Sequence, residues 1–92
     1  MEILYSMHTP KKCVEFVLFN NKRFKIEIEP SGSSYLYIYI QTNNGEFALV
    51  ANGTQLKGIT EPCYEHNDEK RLVMNVKNIM IAKEFIKKVF SE

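Results

Sequence analysis

The sequence predicts an α+β domain: an antiparallel β-meander of about five strands with one C-terminal α-helix packed on one face. Three observations carry this. Arg23–Glu29 and Tyr35–Ile40 alternate with a period of two, the mark of strands with two distinct faces. Asn43-Asn44-Gly45, between two such runs, contains the Asn-Gly pair favoured in tight hairpins. From Ile81 the period changes: Ile81, Ala82, Phe85, Ile86 and Val89 recur at helical spacing, opposite Lys83, Glu84, Lys87 and Lys88.

Taken in order, Met1–Ser6 is either an edge strand or a segment lying across the sheet. Cys13–Phe19 alternates, with Val14, Phe16 and Leu18 on one face and Val17 and Phe19 on the other. Asn20-Asn21-Lys22 supplies turn residues that tolerate positive φ. The next strand sets Phe24, Ile26 and Ile28 against Arg23, Lys25, Glu27 and Glu29. Pro30–Ser34 is a loop, the tyrosine strand follows, and Phe47–Ala51 is the next strand.

A single register gathers the apolar sets. It pairs Val14 with Ile28, Phe16 with Ile26 and Leu18 with Phe24. It then pairs Ile28 with Leu36, Ile26 with Ile38 and Phe24 with Ile40. A two-residue turn at Asn44-Gly45 sets Ile40 against Leu49 and Ile38 against Ala51. A slip of one residue would turn every side chain to the other face. Asn52–Asp68 reads as irregular and is long for a compact domain. Arg71–Val76 alternates again and reads as a fifth strand. Asn78 is the expected helix N-cap, and Lys87 and Lys88 suit the negative end of the helix dipole.

Ninety-two residues make one domain, residues 1–92. The apolar (45%) and charged (25%) fractions are ordinary for a globular protein. Twelve basic against eleven acidic residues leave a net charge of +1, which excludes a nucleic-acid mimic and an overtly basic polyanion binder. No apolar run approaches the ~20 residues that span a bilayer. Glu2 stands where a signal peptide carries Lys or Arg, so a cytoplasmic protein with no membrane partner is expected. In that compartment the two cysteines, Cys13 and Cys63, are expected as reduced thiols.

Candidate chemistry is sparse, and the chain is expected not to be an enzyme. The histidines are His8 and His66. A Cys63–His66 nucleophile pair lacks a visible orienting group, and Glu61, Glu65 and Asp68 nearby would raise a thiol pKa. His8, Cys13, Cys63 and His66 form a zinc-competent donor set, but their spacing lacks a Cys-x2-Cys knuckle, so neither a metal nor a cofactor is expected. Gly53–Gly58 has the glycine spacing of a phosphate loop, yet Ile59 stands where its lysine belongs. Glu15 and Glu27, register neighbours in this reading, are expected to be solvated.

The residues that stand out are the tyrosines. Tyr35, Tyr37 and Tyr39 line the face opposite Leu36, Ile38 and Ile40, and the register adds Phe19 to them. Tyrosine buries area while keeping a hydroxyl to satisfy, which suits a protein interface. Tyr35, Tyr37, Tyr39 and Phe19 are therefore the expected anchors, with Arg23, Lys25, Glu27 and Glu29 as the polar rim. The acidic stretch Glu61–Glu69 is a second candidate contact. The partner is a foreign protein or a second copy.

Two other readings compete. Single-stranded RNA or DNA could stack on the same rings, but phosphates would meet Glu27 and Glu29. Cross-strand tyrosines also stabilise a merely solvated sheet. The expected role is a small non-catalytic interaction domain that binds and blocks another protein. Phage and mobile-element proteins such as anti-CRISPR inhibitors, and immunity proteins, share that general character, though no motif links them to this chain.

Overall fold

The computed structural model describes residues 1–29, 35–56 and 58–91; the expected loop Pro30–Ser34 and Lys57 lie outside them. Five strands, β1 (Glu2–His8), β2 (Cys13–Phe19), β3 (Lys22–Ile28), β4 (Leu36–Gln41) and β5 (Phe47–Asn52), precede one helix, α1 (Asp68–Val89). The sheet order is β1-β2-β3-β4-β5 and every neighbouring pair is antiparallel, so the sheet is a meander. The α+β class is as the sequence predicts, but the fifth strand is N-terminal.

Arg71–Val76 is not a strand; it lies within α1. Its alternation is too short to outweigh a run from 68 to 89 without glycine or proline. The N-cap is Asn67 and not Asn78. The Asn67 Oδ1 accepts from the Lys70 N–H at 3.1 Å, Asp68 and Glu69 occupy the first turn, and Lys87 and Lys88 the last. Asn78 is buried instead, its Nδ2 donating to the Glu61 carbonyl at 2.8 Å.

The strands β3 and β4 pair in the expected register, Phe24 with Ile40, Ile26 with Ile38 and Ile28 with Leu36. The strand β2 does not. Asn20 and Asn21 both take positive φ (54° and 63°), so the turn has two residues and Phe19 pairs with Lys22. Cys13, Glu15 and Val17 then face Ile28, Ile26 and Phe24. The side chains of β2 are flipped relative to the sequence reading: Cys13, Glu15 and Val17 are buried, and Val14, Phe16 and Leu18 turn outward.

The β4–β5 hairpin also departs by one residue. Its loop is Asn43-Asn44-Gly45, with Gly45 at φ 84°. Gly45 N–H donates to Thr42 O at 2.9 Å and Thr42 N–H to Glu46 O at 2.7 Å. Ile40 therefore faces Ala48, not Leu49. A bulge at Val50 restores the expected partnership of Ile38 with Ala51.

The helix covers the inner face over β1–β3. Phe24, Ile26, Ile28, Leu36 and Ile38 meet Ile79, Ala82 and Ile86, with Leu56 and Tyr35 closing the same cluster. Each large apolar side chain buried there contributes about 1.5–3 kcal/mol of transfer free energy. Phe90, just past the helix, packs on Phe24 with ring centroids 4.9 Å apart.

One charged residue enters this core. Glu15 is 1% exposed. His8 Nε2 lies 2.9 Å from its Oε1, and the Lys83 ammonium of α1 pairs with its Oε2. The pairing makes burial of a carboxylate tolerable, and it ties β1, β2 and α1 together. Asn75, also buried, donates from Nδ2 to the carbonyls of Thr9 (3.4 Å) and Pro10 (3.3 Å).

Candidate functional site

The sheet face turned away from α1 is the candidate site. Across the strands, register sets Tyr5 beside Phe16, Phe16 beside Lys25, Lys25 beside Tyr39 and Tyr39 beside Leu49. One step along, Val14, Glu27, Tyr37 and Asn52 form the neighbouring row. The rings make contact: Tyr5 with Phe16 at 6.1 Å and Phe16 with Phe47 at 5.8 Å, both edge-to-face, and Tyr37 stacked with Tyr39 at 6.4 Å. Such pairs contribute about 0.5–1.5 kcal/mol each beyond area burial and hold the rings in fixed orientations.

A single cation joins the two aromatic groups. Lys25 Nζ lies 4.6 Å from the Tyr39 centroid and 5.4 Å from that of Phe47. Arg23 is exposed and makes no ion pair among the described residues. It helps line a shallow depression of about 290 Å³ with Leu4, Tyr5, Phe16, Gln41 and Phe47. At the far end of β3 the charge reverses. Lys12 Nζ lies 3.6 Å from both Glu27 and Glu29, which leaves that end with one uncompensated carboxylate in the trio. The Tyr39 hydroxyl pKa is raised, chiefly by burial and then by Glu27, Tyr37 and Glu29, so it remains a neutral donor.

The residues singled out from sequence divide in two. Arg23, Lys25, Glu27, Tyr37 and Tyr39 share the outer face, and Glu29 follows β3 at its acidic end. Phe19 does not join them: the two-residue turn sends it to the inner face, where it packs against the core. Tyr35 does not either. Its φ of 23° breaks the strand alternation, and the side chain is buried, with its hydroxyl 2.7 Å from Thr60 Oγ1 and 3.3 Å from the Gly53 carbonyl. Glu15 is not a surface neighbour of Glu27, because β2 is flipped.

Sequence reasoning missed Tyr5, Phe16 and Phe47. The signal for Phe16 was present in Asn20-Asn21, a pair that accepts two positive φ values and so shortens the turn. The other candidates stay apart from this face. Cys13 and Cys63 are free, buried thiols. His8 and Cys13 are cross-strand partners, but the His8 ring is turned to Glu15. Among the described residues no three His, Cys, Asp or Glu side chains converge as a metal site, and no helix is long and apolar enough to cross a membrane. Compared with known proteins, the chain matches no family model, no curated protein and no solved structure.

Proposed function

We propose that this domain works without catalysis, as a binder that docks its outer sheet face on another protein and blocks it. The observation that carries the reading is the continuous array Tyr5–Phe16–Phe47 and Tyr37–Tyr39 on the face opposite α1. Rigid aromatics with polar edges supply binding energy at low entropic cost. Arg23, Lys25, Glu27 and Glu29 set orientation and rate of encounter. Tyr37, Tyr39 and Phe16 are the anchors in this reading. A cytoplasmic inhibitor of the kind made by phages and mobile elements, anti-CRISPR proteins among them, or an immunity protein, fits such a small one-faced domain.

The nucleic-acid alternative draws support from Lys12, which offsets the two carboxylates that would oppose phosphate. A photo-crosslinking residue at Tyr37, with a control at exposed Val73, separates the readings in cells. The protein reading expects a discrete foreign-protein adduct from position 37 alone, lost in Lys25→Glu. Nucleic-acid adducts, or equal adducts from both positions, refute it.

A further inference from the structure

We infer that, when no foreign partner occupies it, the outer face closes on the outer face of a second copy of this chain. The inference rests on the reading of that face as a protein-binding surface and names one occupant for it. The argument is the order of charge along β3. Its outward side chains run Arg23, Lys25, Glu27 and then Glu29 just past the strand, positive at one end and negative at the other. The row spans about 20 Å at the usual rise per residue.

Two symmetric ways exist to stack one such face on its copy. A two-fold axis parallel to β3 would set Arg23 over the copy's Arg23 and Glu29 over its Glu29. Both contacts are repulsive, and like-charge juxtaposition strongly disfavours an interface. An axis across the strands, passing between Lys25 and Glu27, instead makes the two β3 strands antiparallel. Arg23 then meets Glu29 of the copy, and Lys25 meets Glu27, twice over. The same operation lays the stacked pair Tyr37–Tyr39 on its own counterpart and, because the axis crosses β2 at Glu15, sets Phe16 over the copy's Val14. Charge order thus selects one arrangement, and that arrangement also packs the tyrosine pair of β4 on its own copy.

The outer ends of the row are available for this. Arg23 has no ion pair among the described residues, and Glu29 is 46% exposed, its partner Lys12 lying 3.6 Å away. Glu2 is the acid nearest the basic end on β1, two strands away from Arg23, about 10 Å across the sheet. Five strands about 4.8 Å apart and six residues long give a footprint of roughly 20 by 20 Å, about 400 Å² on each copy, the scale of a weak, concentration-dependent contact. Aligned sheets cross at about 30°, an offset that the long Arg23 and Glu29 side chains can span.

The test is sedimentation equilibrium on the full chain, from low micromolar to several hundred micromolar. The wild type is expected to pass from monomer to dimer. Arg23→Glu alone sets acid against acid, and Glu29→Lys alone sets base against base; each is expected to weaken dimerisation by at least roughly tenfold. An equimolar mixture of the two is complementary at both contacts and is expected to recover wild-type affinity as a heterodimer. Circular dichroism checks that both variants keep the fold. A wild type that stays monomeric throughout overturns the inference, as do variants that dimerise like the wild type. In either case the crosslink from position 37 still decides whether a foreign protein uses the face.

Discussion

Replacing Glu15 by glutamine keeps the side-chain volume and removes the one charge on which β1, β2 and α1 converge. The Lys83 ammonium then loses its anion, and His8, when protonated, loses its carboxylate. Breaking a fully buried ion pair from one side costs about 3–5 kcal/mol. Lys83 and His8 keep 20% and 30% of their side-chain surface in water, so partial resolvation lowers the figure. The expected loss is about 2–3 kcal/mol, which in a domain of this size lowers Tm by about 10–20 °C. Urea unfolding followed by circular dichroism reads it, with the slope unchanged if only stability has moved. The double change Glu15→Leu with Lys83→Met should recover much of the loss, because it removes both desolvated charges. A loss below about 1 kcal/mol for Glu15→Gln, or a cycle in which the two sites simply add, refutes the idea that this carboxylate ties helix to sheet.

Three further outcomes follow from the same geometry. Tyr35→Phe removes the hydroxyl that meets Thr60 Oγ1 and the Gly53 carbonyl in a buried setting, and should cost about 1–2 kcal/mol in the same assay; a neutral result would mean that this hydroxyl is not desolvated. Asn67→Ala should cost about 1 kcal/mol by uncapping α1, whereas Asn67→Asp should be close to neutral, as helix signal and urea midpoint will show. Burial, with Glu15 adding to it, outweighs the downward pull of the hydrogen bonds to Thr9 and Asn75 and holds the Cys13 thiol pKa above its ordinary value. The unfolded chain therefore releases that proton at lower pH than the folded one, so stability falls as pH rises above about 8.5. Cys13→Ala should flatten that alkaline slope in urea midpoints taken across the range, and an unchanged slope would assign it to other groups, the raised Tyr39 hydroxyl first among them.

Legibility tracked how directly each residue pattern maps onto backbone geometry. Arg23–Glu29 and Leu36–Ile40 alternate without exception, so their pairing could be read residue for residue. The strand β2 carries apolar side chains at both parities, and the deciding residue, Glu15, is a carboxylate that goes inward only because Lys83 and His8 meet it. That contact spans most of the chain and leaves no local trace. Phe19 was misplaced by the same slip. Tyr35 continues the alternation on paper, but its positive φ at the strand entrance redirects it to Thr60. The first half of α1 buries asparagines, Asn75 and Asn78, in place of an apolar stripe, so helical spacing emerges only further on. The outer face was half visible: Tyr37, Tyr39 and Lys25 fall where alternation puts them, while Phe16 and Phe47 depended on two turns, one a residue shorter and one a residue longer than the sequence suggests.

The hairpin between β4 and β5 carries two departures that cancel. Its loop holds one residue more than the tightest turn, and the bulge at Val50 absorbs it, so that Ile38 and Ala51 still meet. In the language of insertions and deletions these are two single-residue insertions, each housed where it leaves the facing pairs intact. Deleting Asn43 alone would close the loop to the two-residue turn Asn44-Gly45 between Thr42 and Glu46, leaving Phe47 and Leu49 on the outer face and the bulge at Val50 in place. Deleting Asn43 together with Val50 would shorten the ribbon and leave both faces in phase. Length variation in this hairpin is thus absorbed at either of two points, the loop or the bulge, without turning a face over, a latitude that any redesign of the loop inherits.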